Sequence, residues 1–267
     1  MRKSLDGLST INIELTSRCN KNCWMCGRRK VDRDYSELAL DYGDMDFSLL
    51  ETIAEQLPER VVTQFHRDGE ALLYPRLGDA LRLFPNNIRN IVSNGKLLLE
   101  KADELIDNIE TLSISIFEDD TEAEEQEGII EQFLLLKGNR KPYVTLRLIG
   151  DVDNEPYKKY GQLIIRRVLH APMGSFDYVK RLPTIPEIGI CWDYIHHPCI
   201  NYKGDFSICV RFDPEKKGVL GNIKTDTLSD LWYGAKRAGW TSLHIAGKRT
   251  EVPLCAQCEF WGVPISP

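Results

Sequence analysis

Three features of the sequence predict an α/β fold: a parallel sheet curling toward a barrel, followed by a small cysteine-bearing piece. Short apolar strands alternate with helical stretches through the first 170 residues, and repeated strand–helix units imply parallel strands joined by right-handed crossovers. Several of those strands carry one apolar and one polar face. Eight cysteines fall in two groups, Cys19, Cys23 and Cys26 near the start and Cys191, Cys199, Cys209, Cys255 and Cys258 near the end.

Residues 10–15 read as the first strand, because Ile11, Ile13 and Leu15 alternate with Asn12, Glu14 and Thr16. A helix follows over 48–57, with Ser48 as its N-cap. The strand over 60–66 sets Gln64 and His66 opposite Val61, Thr63 and Phe65. A helix over 75–84, a strand over 88–92 and a helix over 97–106 come next. The strand over 111–117 sets Ser113 and Ser115 opposite Leu112, Ile114 and Ile116. A helix over 121–136 starts inside an acidic run, 118–127, with seven acids and no base. Carboxylates there suit the positive end of a helix dipole and a solvated position. The strand over 143–149 sets Thr145 and Arg147 opposite Val144, Leu146 and Leu148, and 163–169 reads as one more strand. A doubly wound sheet is buried on both faces and reads as near-continuous apolar runs. Polar faces on four strands instead predict a full or partial barrel with a wet lumen. Edge strands with one solvated face are the alternative.

Beyond residue 169 prolines and glycines become frequent, at Pro172, Gly174, Pro183, Pro186 and Gly189. Residues 198–209 then read as a hairpin turning at Lys203-Gly204-Asp205. A helix over 227–245 opens with Thr227 three residues before Asp230, a capping-box pattern. The expected division is a barrel over 1–170 and a C-terminal subdomain over 171–267.

The net charge is −6 and no basic stripe is present, so nucleic-acid binding is not expected. The apolar runs fall far short of the roughly 20 residues that cross a bilayer. The first residues lack the apolar stretch of a secretion signal, so a cytoplasmic location is expected. Cysteine clusters in such a chain point to metal or redox chemistry before disulfides.

Cys19-Asn-Lys-Asn-Cys23-Trp-Met-Cys26 follows the first strand directly. Three thiolates on one loop can hold three corners of a 4Fe–4S cluster and leave one iron open. Zinc stays an alternative, with His66 as a fourth ligand. The CxxxCxxC spacing resembles the radical S-adenosylmethionine superfamily. Asp68-Gly69-Glu70 after the second strand resembles the superfamily's Gly-Gly-Glu motif, with Asp68 in place of the first glycine. Ser93-Asn94-Gly95 resembles its turn after the third strand, and Ser115 stands where relatives place a cofactor-contacting serine. Met25 takes the place of an aromatic residue before the third cysteine. The resemblance implies a partial (β/α) barrel. It also implies S-adenosylmethionine bound on the open iron beside Asp68, Gly69, Glu70, Ser93, Asn94, Ser115 and Met25.

Cys191, followed after twelve residues by Gly204 and after four more by Cys209, makes one half of a second pattern; Cys255-Ala-Gln-Cys258 makes the other. Spacing alone leaves a fully ligated 4Fe–4S cluster and a structural zinc equally open. The pattern resembles the twitch subdomain, the short form of the SPASM domain, which implies one auxiliary 4Fe–4S cluster. Two 4Fe–4S clusters are thus expected in all. Cys199 is left over. It reads as a buried structural thiol, a substitute for Cys191, or a hydrogen-atom donor.

The resemblance implies a 5′-deoxyadenosyl radical that takes hydrogen from a substrate, with a low-potential electron donor such as flavodoxin or ferredoxin. The architecture resembles the short members that oxidise a secondary alcohol of a cyclitol, the auxiliary cluster accepting an electron. A lumen carrying Asn12, Glu14, Gln64, His66 and Arg147 suits a small hydroxyl-rich substrate, with Glu14 and His66 as candidate proton acceptors. Epimerisation with Cys199 as hydrogen donor is the alternative. Peptide modification ranks lower, because Ser115-Ile116-Phe117-Glu118 departs from the Ser-x-Asp-Gly of peptide-acting relatives. A non-enzymatic zinc or iron–sulfur protein ranks lowest.

Overall fold

Among the described residues, β-branched and aliphatic residues at alternate positions build a single nine-stranded sheet. The computed structural model describes residues 5–38, 41–167, 169, 189–256 and 258. The strands are β1 (Thr10–Ile13), β2 (Val62–Phe65), β3 (Ile88–Ser93), β4 (Thr111–Phe117), β5 (Tyr143–Ile149), β6 (Leu163–Arg167), β7 (Cys199–Ile200), β8 (Asp205–Ser207) and β9 (Val219–Asn222). They lie in the order β6-β5-β4-β3-β2-β1-β7-β8-β9. All neighbours from β6 to β7 are parallel, and β7, β8 and β9 form an antiparallel meander. The sheet does not close on itself among the described residues, so the barrel is partial.

The alternation read from the sequence is present in the packing. Ile11, Ile13, Phe65, Ile91, Leu112, Ile114, Leu146 and Leu148 are buried in one apolar core. On the other face, Gln64, His66, Ser113, Thr145 and Arg147 are half-buried, which fits side chains turned into a recess. Register aligns Cys199, Asn12, Gln64, Asn90 and Thr111 across five neighbouring strands. This polar belt carries three amides side by side. Asn90 Nδ2 donates to Thr111 Oγ1 at 2.6 Å, while the side-chain oxygens of Asn12 and Asn90 are buried without a partner.

Several expected elements differ in detail. The helix expected over 48–57 spans Phe47–Gln56, and its N-cap is Asp46 rather than Ser48, because the Asp46 carboxylate accepts the Ser48 N–H at 2.9 Å. Of the helix expected over 97–106, only Ala102–Leu105 is helical, and that expected over 75–84 shrinks to Leu77–Arg82. The long helix over 227–245 is two, Leu228–Trp232 and Ala235–Ile245. Gly234 separates them with extended backbone (ψ 151°), and a Cβ there would lie 2.7 Å from Asp230 O. The expected Thr227 cap forms, its Oγ1 accepting the Asp230 N–H at 3.1 Å. The hairpin turns at Gly204, whose φ of +93° is the left-handed region that glycine enters freely. The Pro/Gly-rich stretch 170–188, with Pro172, Gly174, Pro183 and Pro186, lies outside the described residues. So does the expected division at 170/171.

β7 carries the main surprise. This two-residue strand joins the hairpin to the edge of β1, with Asn12 N donating to Pro198 O at 2.8 Å and Glu14 N to Ile200 O at 2.9 Å. The C-terminal piece therefore continues the barrel sheet.

Candidate functional site

The loops that leave the C-terminal ends of β1, β2 and β3 are tied into one body, and the first three cysteines lie on it. After β1 the chain runs against residues 43–45, with Ser17 N donating to Gly43 O and Met45 N to Leu15 O. Cys19, Cys23 and Cys26 follow, and Cys26 caps the helix Gly27–Asp34. Burial pushes the Cys19 thiol up and that of Cys23 to about 12, and neighbouring thiols add to both shifts. Such thiols ionise when a metal replaces the proton.

Gly69 fits under this loop because it has no side chain: a Cβ there would lie 1.9 Å from Thr16 O. Glu70 N then donates to Arg18 O at 2.8 Å. The buried Glu70 carboxylate reaches the next loop, accepting Asn94 N at 2.7 Å and its own Leu72 N at 3.1 Å. Asn94 Nδ2 donates to Asn20 Oδ1 at 2.9 Å and lies 3.9 Å from Cys19 Sγ. Ser93 Oγ accepts Gly95 N at 2.9 Å. Arg28 Nη1, two residues past Cys26, donates to Asp68 O at 2.8 Å. The structure thus brings the cysteine loop, Asp68-Gly69-Glu70 and Ser93-Asn94-Gly95 together.

Two parts of this body were missed by sequence reasoning. Gln126, 2% exposed on the helix Ala123–Lys137, donates through Nε2 to Asn94 O at 2.6 Å and Ser115 O at 2.9 Å. Its Oε1 stays buried without a partner. A glutamine inside an acidic helix start carried no visible signal. Lys21 is the second. It forms an ion pair with Asp120, both side chains buried, and reaches Glu122 at 3.8 Å. The acidic run is therefore more than a solvated helix start. Its Asp120 latches the cysteine loop to the sheet.

On the polar face the two candidate proton acceptors separate. Burial, and then the charges of Arg147 and His197, lower the His66 pKa to about 3, so its imidazole is neutral and weakly basic. Burial, reinforced by Asp68, raises Glu14 to about 7. Glu14 accepts Asp68 N and Tyr202 N, each at 3.2 Å, and Arg67 stands 3.8 Å away. Arg147 faces no carboxylate among the described residues; burial, then Arg167, lowers it to about 10. Cys199 is fully buried beside Asn12, and burial holds its thiol up at about 12. Met25 is buried; Trp24, half-exposed, donates from Nε1 to Glu118 O at 3.3 Å.

At the other end Cys191, Cys209, Cys255 and Cys258 line one pocket of about 310 Å³, with Asp193, Tyr194, Arg211 and Leu254. Burial pushes Cys209 well up and Cys255 to about 12. Arg249 Nη1 holds the carbonyls of Cys255 and Cys258 at 2.9 and 3.0 Å, and Arg211 Nη2 donates to Asp193 at 2.6 Å. Two guanidiniums so placed offset the negative charge of a tetrathiolate site. Among the described residues, no three Cys, His, Asp or Glu side chains converge as closely as a single ion requires. Four thiols around an open pocket fit a polynuclear cluster. The expected His66–zinc alternative finds no such convergence either.

The iron–sulfur cluster-binding domain SPASM matches residues 191–259. Fold, cysteine sites and this match define a radical S-adenosylmethionine enzyme with a C-terminal iron–sulfur domain. The chain is 26% identical to the S-adenosyl-L-methionine-dependent 2-deoxy-scyllo-inosamine dehydrogenase of Niallia circulans, over 94% of this chain and 92% of that protein. It is 27% identical to the tungsten-containing aldehyde ferredoxin oxidoreductase cofactor-modifying protein of Pyrococcus furiosus, over 92% and 86%. The fold is shared with the crystal structure of BtrN in complex with AdoMet and 2-DOIA (TM-score 0.59, 20% identity, 97% and 94% covered). It is also shared with anSMEcpe with bound AdoMet (TM-score 0.64, 14% identity, 88% and 80% covered).

Proposed function

We propose that the protein is an oxidoreductase that converts a secondary alcohol of a small sugar- or cyclitol-like substrate to a ketone, using two 4Fe–4S clusters. Cys19, Cys23 and Cys26 would hold the first, with S-adenosylmethionine against Gly69, Glu70, Ser93, Asn94 and Ser115. Cys191, Cys209, Cys255 and Cys258 would hold the second. When bound, these groups supply hydrogen-atom abstraction and a sink for one electron. The remaining proton is the protein's concern. Glu14, poised near neutrality on the lumen face, suits the acceptor role better than His66. The belt of Asn12, Gln64 and Asn90 offers amide donors and acceptors to hydroxyl groups, and two of its oxygens lack partners.

The observation that carries this reading is the four-thiol pocket, built in addition to the three-thiol loop and attached through β7 to the lumen wall. The test is anaerobic reconstitution with iron and sulfide, then turnover. About eight irons per chain and 5′-deoxyadenosine release that depends on a cyclitol are expected. Cys255→Ser should lower iron to about four per chain. Four in the parent protein, or tightly held zinc, would remove the electron sink and the reading with it.

The epimerase alternative keeps one observation. Cys199 is a protonated thiol on the polar belt, the state a hydrogen-atom donor requires. Cys199→Ala should leave a dehydrogenase active and stop an epimerase.

A further inference from the structure

The cations around the first cysteine loop differ in burial and in partner. Arg18 pairs with Asp44 at 3.1 Å. Lys21, the cation beside Cys23, is held by Asp120. Arg29 donates from Nη2 to Lys21 O at 3.1 Å and is only half-buried. Arg28 stands apart. It is 3% exposed, and among the described residues no carboxylate forms an ion pair with it. Its Nη1 donates to a carbonyl, that of Asp68, and its guanidinium carbon lies 4.4 Å from the centroid of the Tyr42 ring. Its Nε is buried and has no partner. The Asp68 carboxyl feels the Arg28 charge, but its own ion pair is with Arg67, at 3.4 Å. The Tyr42 hydroxyl donates to Asp32.

A guanidinium this deeply buried is costly unless something negative stands beside it. The thiols of Cys19 and Cys26 are within its electrostatic reach. Cys23 is in turn within reach of both, so the three thiols form one group. A 4Fe–4S cluster on three thiolates is an anion, and uptake of one electron adds to its negative charge. A fixed cation nearby therefore stabilises the reduced form more than the oxidised form and raises the reduction potential. Burial protects that effect from screening by salt. An N–H without a partner adds a hydrogen-bond donor for sulfur, which acts in the same direction.

We propose that Arg28 sets the reduction potential of the cluster held by Cys19, Cys23 and Cys26, its buried charge favouring uptake of the electron that an external low-potential donor supplies. The inference rests on the assignment of those three cysteines in the functional reading above. An EPR-monitored redox titration of the reconstituted full chain tests it, under anaerobic conditions with dithionite as reductant. The first cluster is the one whose signal changes when S-adenosylmethionine is added, because it alone keeps an open iron. Arg28→Gln removes the charge. Arg28→Lys keeps the charge and loses the contacts of the planar guanidinium. At the parent's midpoint, the ratio of reduced to oxidised cluster should fall about tenfold in Arg28→Gln, a downward shift of about 59 mV. In Arg28→Lys it should stay within about threefold of the parent. A merely structural arginine is replaced by neither residue, so both variants would then shift alike. An unmoved midpoint in Arg28→Gln, or a tenfold fall in Arg28→Lys, overturns the proposal. If Arg28→Gln holds no cluster, Arg28→Lys decides alone by the same two limits. A parent with no signal that responds to S-adenosylmethionine would overturn the cysteine assignment, and the inference with it. A responsive signal whose midpoint ignores the charge at Arg28 overturns the inference alone.

Discussion

Replacing Gly69 by alanine should damage this protein far more than the size of a methyl group suggests. The new Cβ would lie 1.9 Å from Thr16 O, 2.8 Å from Thr16 C and 2.9 Å from Arg18 O, all inside the 3.0 Å that real Cβ contacts respect. The obstacles are backbone atoms, so no rotamer change relieves the clash. One loop must retreat by more than 1 Å from the other, which breaks the Glu70 N to Arg18 O hydrogen bond at 2.8 Å. Overpacking of this kind costs about 1–3 kcal/mol, and the lost hydrogen bond adds about 1 kcal/mol. The melting temperature should fall by roughly 5–15 °C, and S-adenosylmethionine binding should weaken with it. Gly128→Ala provides the opposite sign. Gly128 lies inside the helix Ala123–Lys137, and a Cβ there meets nothing within 4 Å. Removing glycine's backbone freedom should stabilise that helix by about 0.5–1 kcal/mol. Thermal unfolding of both variants under anaerobic conditions decides the matter. A Gly69→Ala protein that melts with the parent and binds cofactor normally would refute the steric argument.

Three further outcomes follow from other parts of the structure. The raised Glu14 pKa means that, between pH 4.5 and about 7, the unfolded chain releases a proton that the folded chain retains. Stability from this group is complete below pH 4.5 and is lost as pH rises to about 7, by about 3 kcal/mol in all. Glu14→Gln should flatten the slope of melting temperature against pH across that window, and an unchanged slope would count against it. Lys21→Ala leaves Asp120 buried beside the cysteine loop without its cation; it should cost about 3 kcal/mol and lower iron retention, both measurable on one reconstituted sample. Thr227→Ala removes the cap on Leu228–Trp232 and should cost about 1 kcal/mol in denaturant unfolding.

What could be read from sequence was whatever depends on short-range pattern. The strands over 111–117 and 143–149 match β4 and β5 to the residue, because alternation is unambiguous when every second side chain is apolar. The cysteines stood out because metal ligation demands close spacing within each half-site. Features that depend on distant partners were hidden. Lys21 and Asp120 are 99 residues apart, and nothing in either neighbourhood names the other. Asp46 outcompeted Ser48 as a cap by two positions, a difference that both residues' propensities allow. Gly234 broke a helix that periodicity ran straight through. The separation of Glu14 from His66 as proton acceptors arose from burial and neighbouring charge, quantities that exist only after folding. β7 was legible as half of a hairpin but not as a neighbour of β1.

That small strand has a consequence for how the chain can be divided. Cys199–Ile200 covers the flank of β1, which is otherwise the outermost strand of the parallel sheet. Without it, the N–H groups of Asn12 and Glu14 would lose their acceptors, Pro198 O and Ile200 O, in a buried setting. An uncovered flank of this kind is a template for pairing with another chain. A fragment ending before the hairpin would thus expose an adhesive border and tend to aggregate. The piece that carries the last five cysteines also keeps the sheet from recruiting strangers.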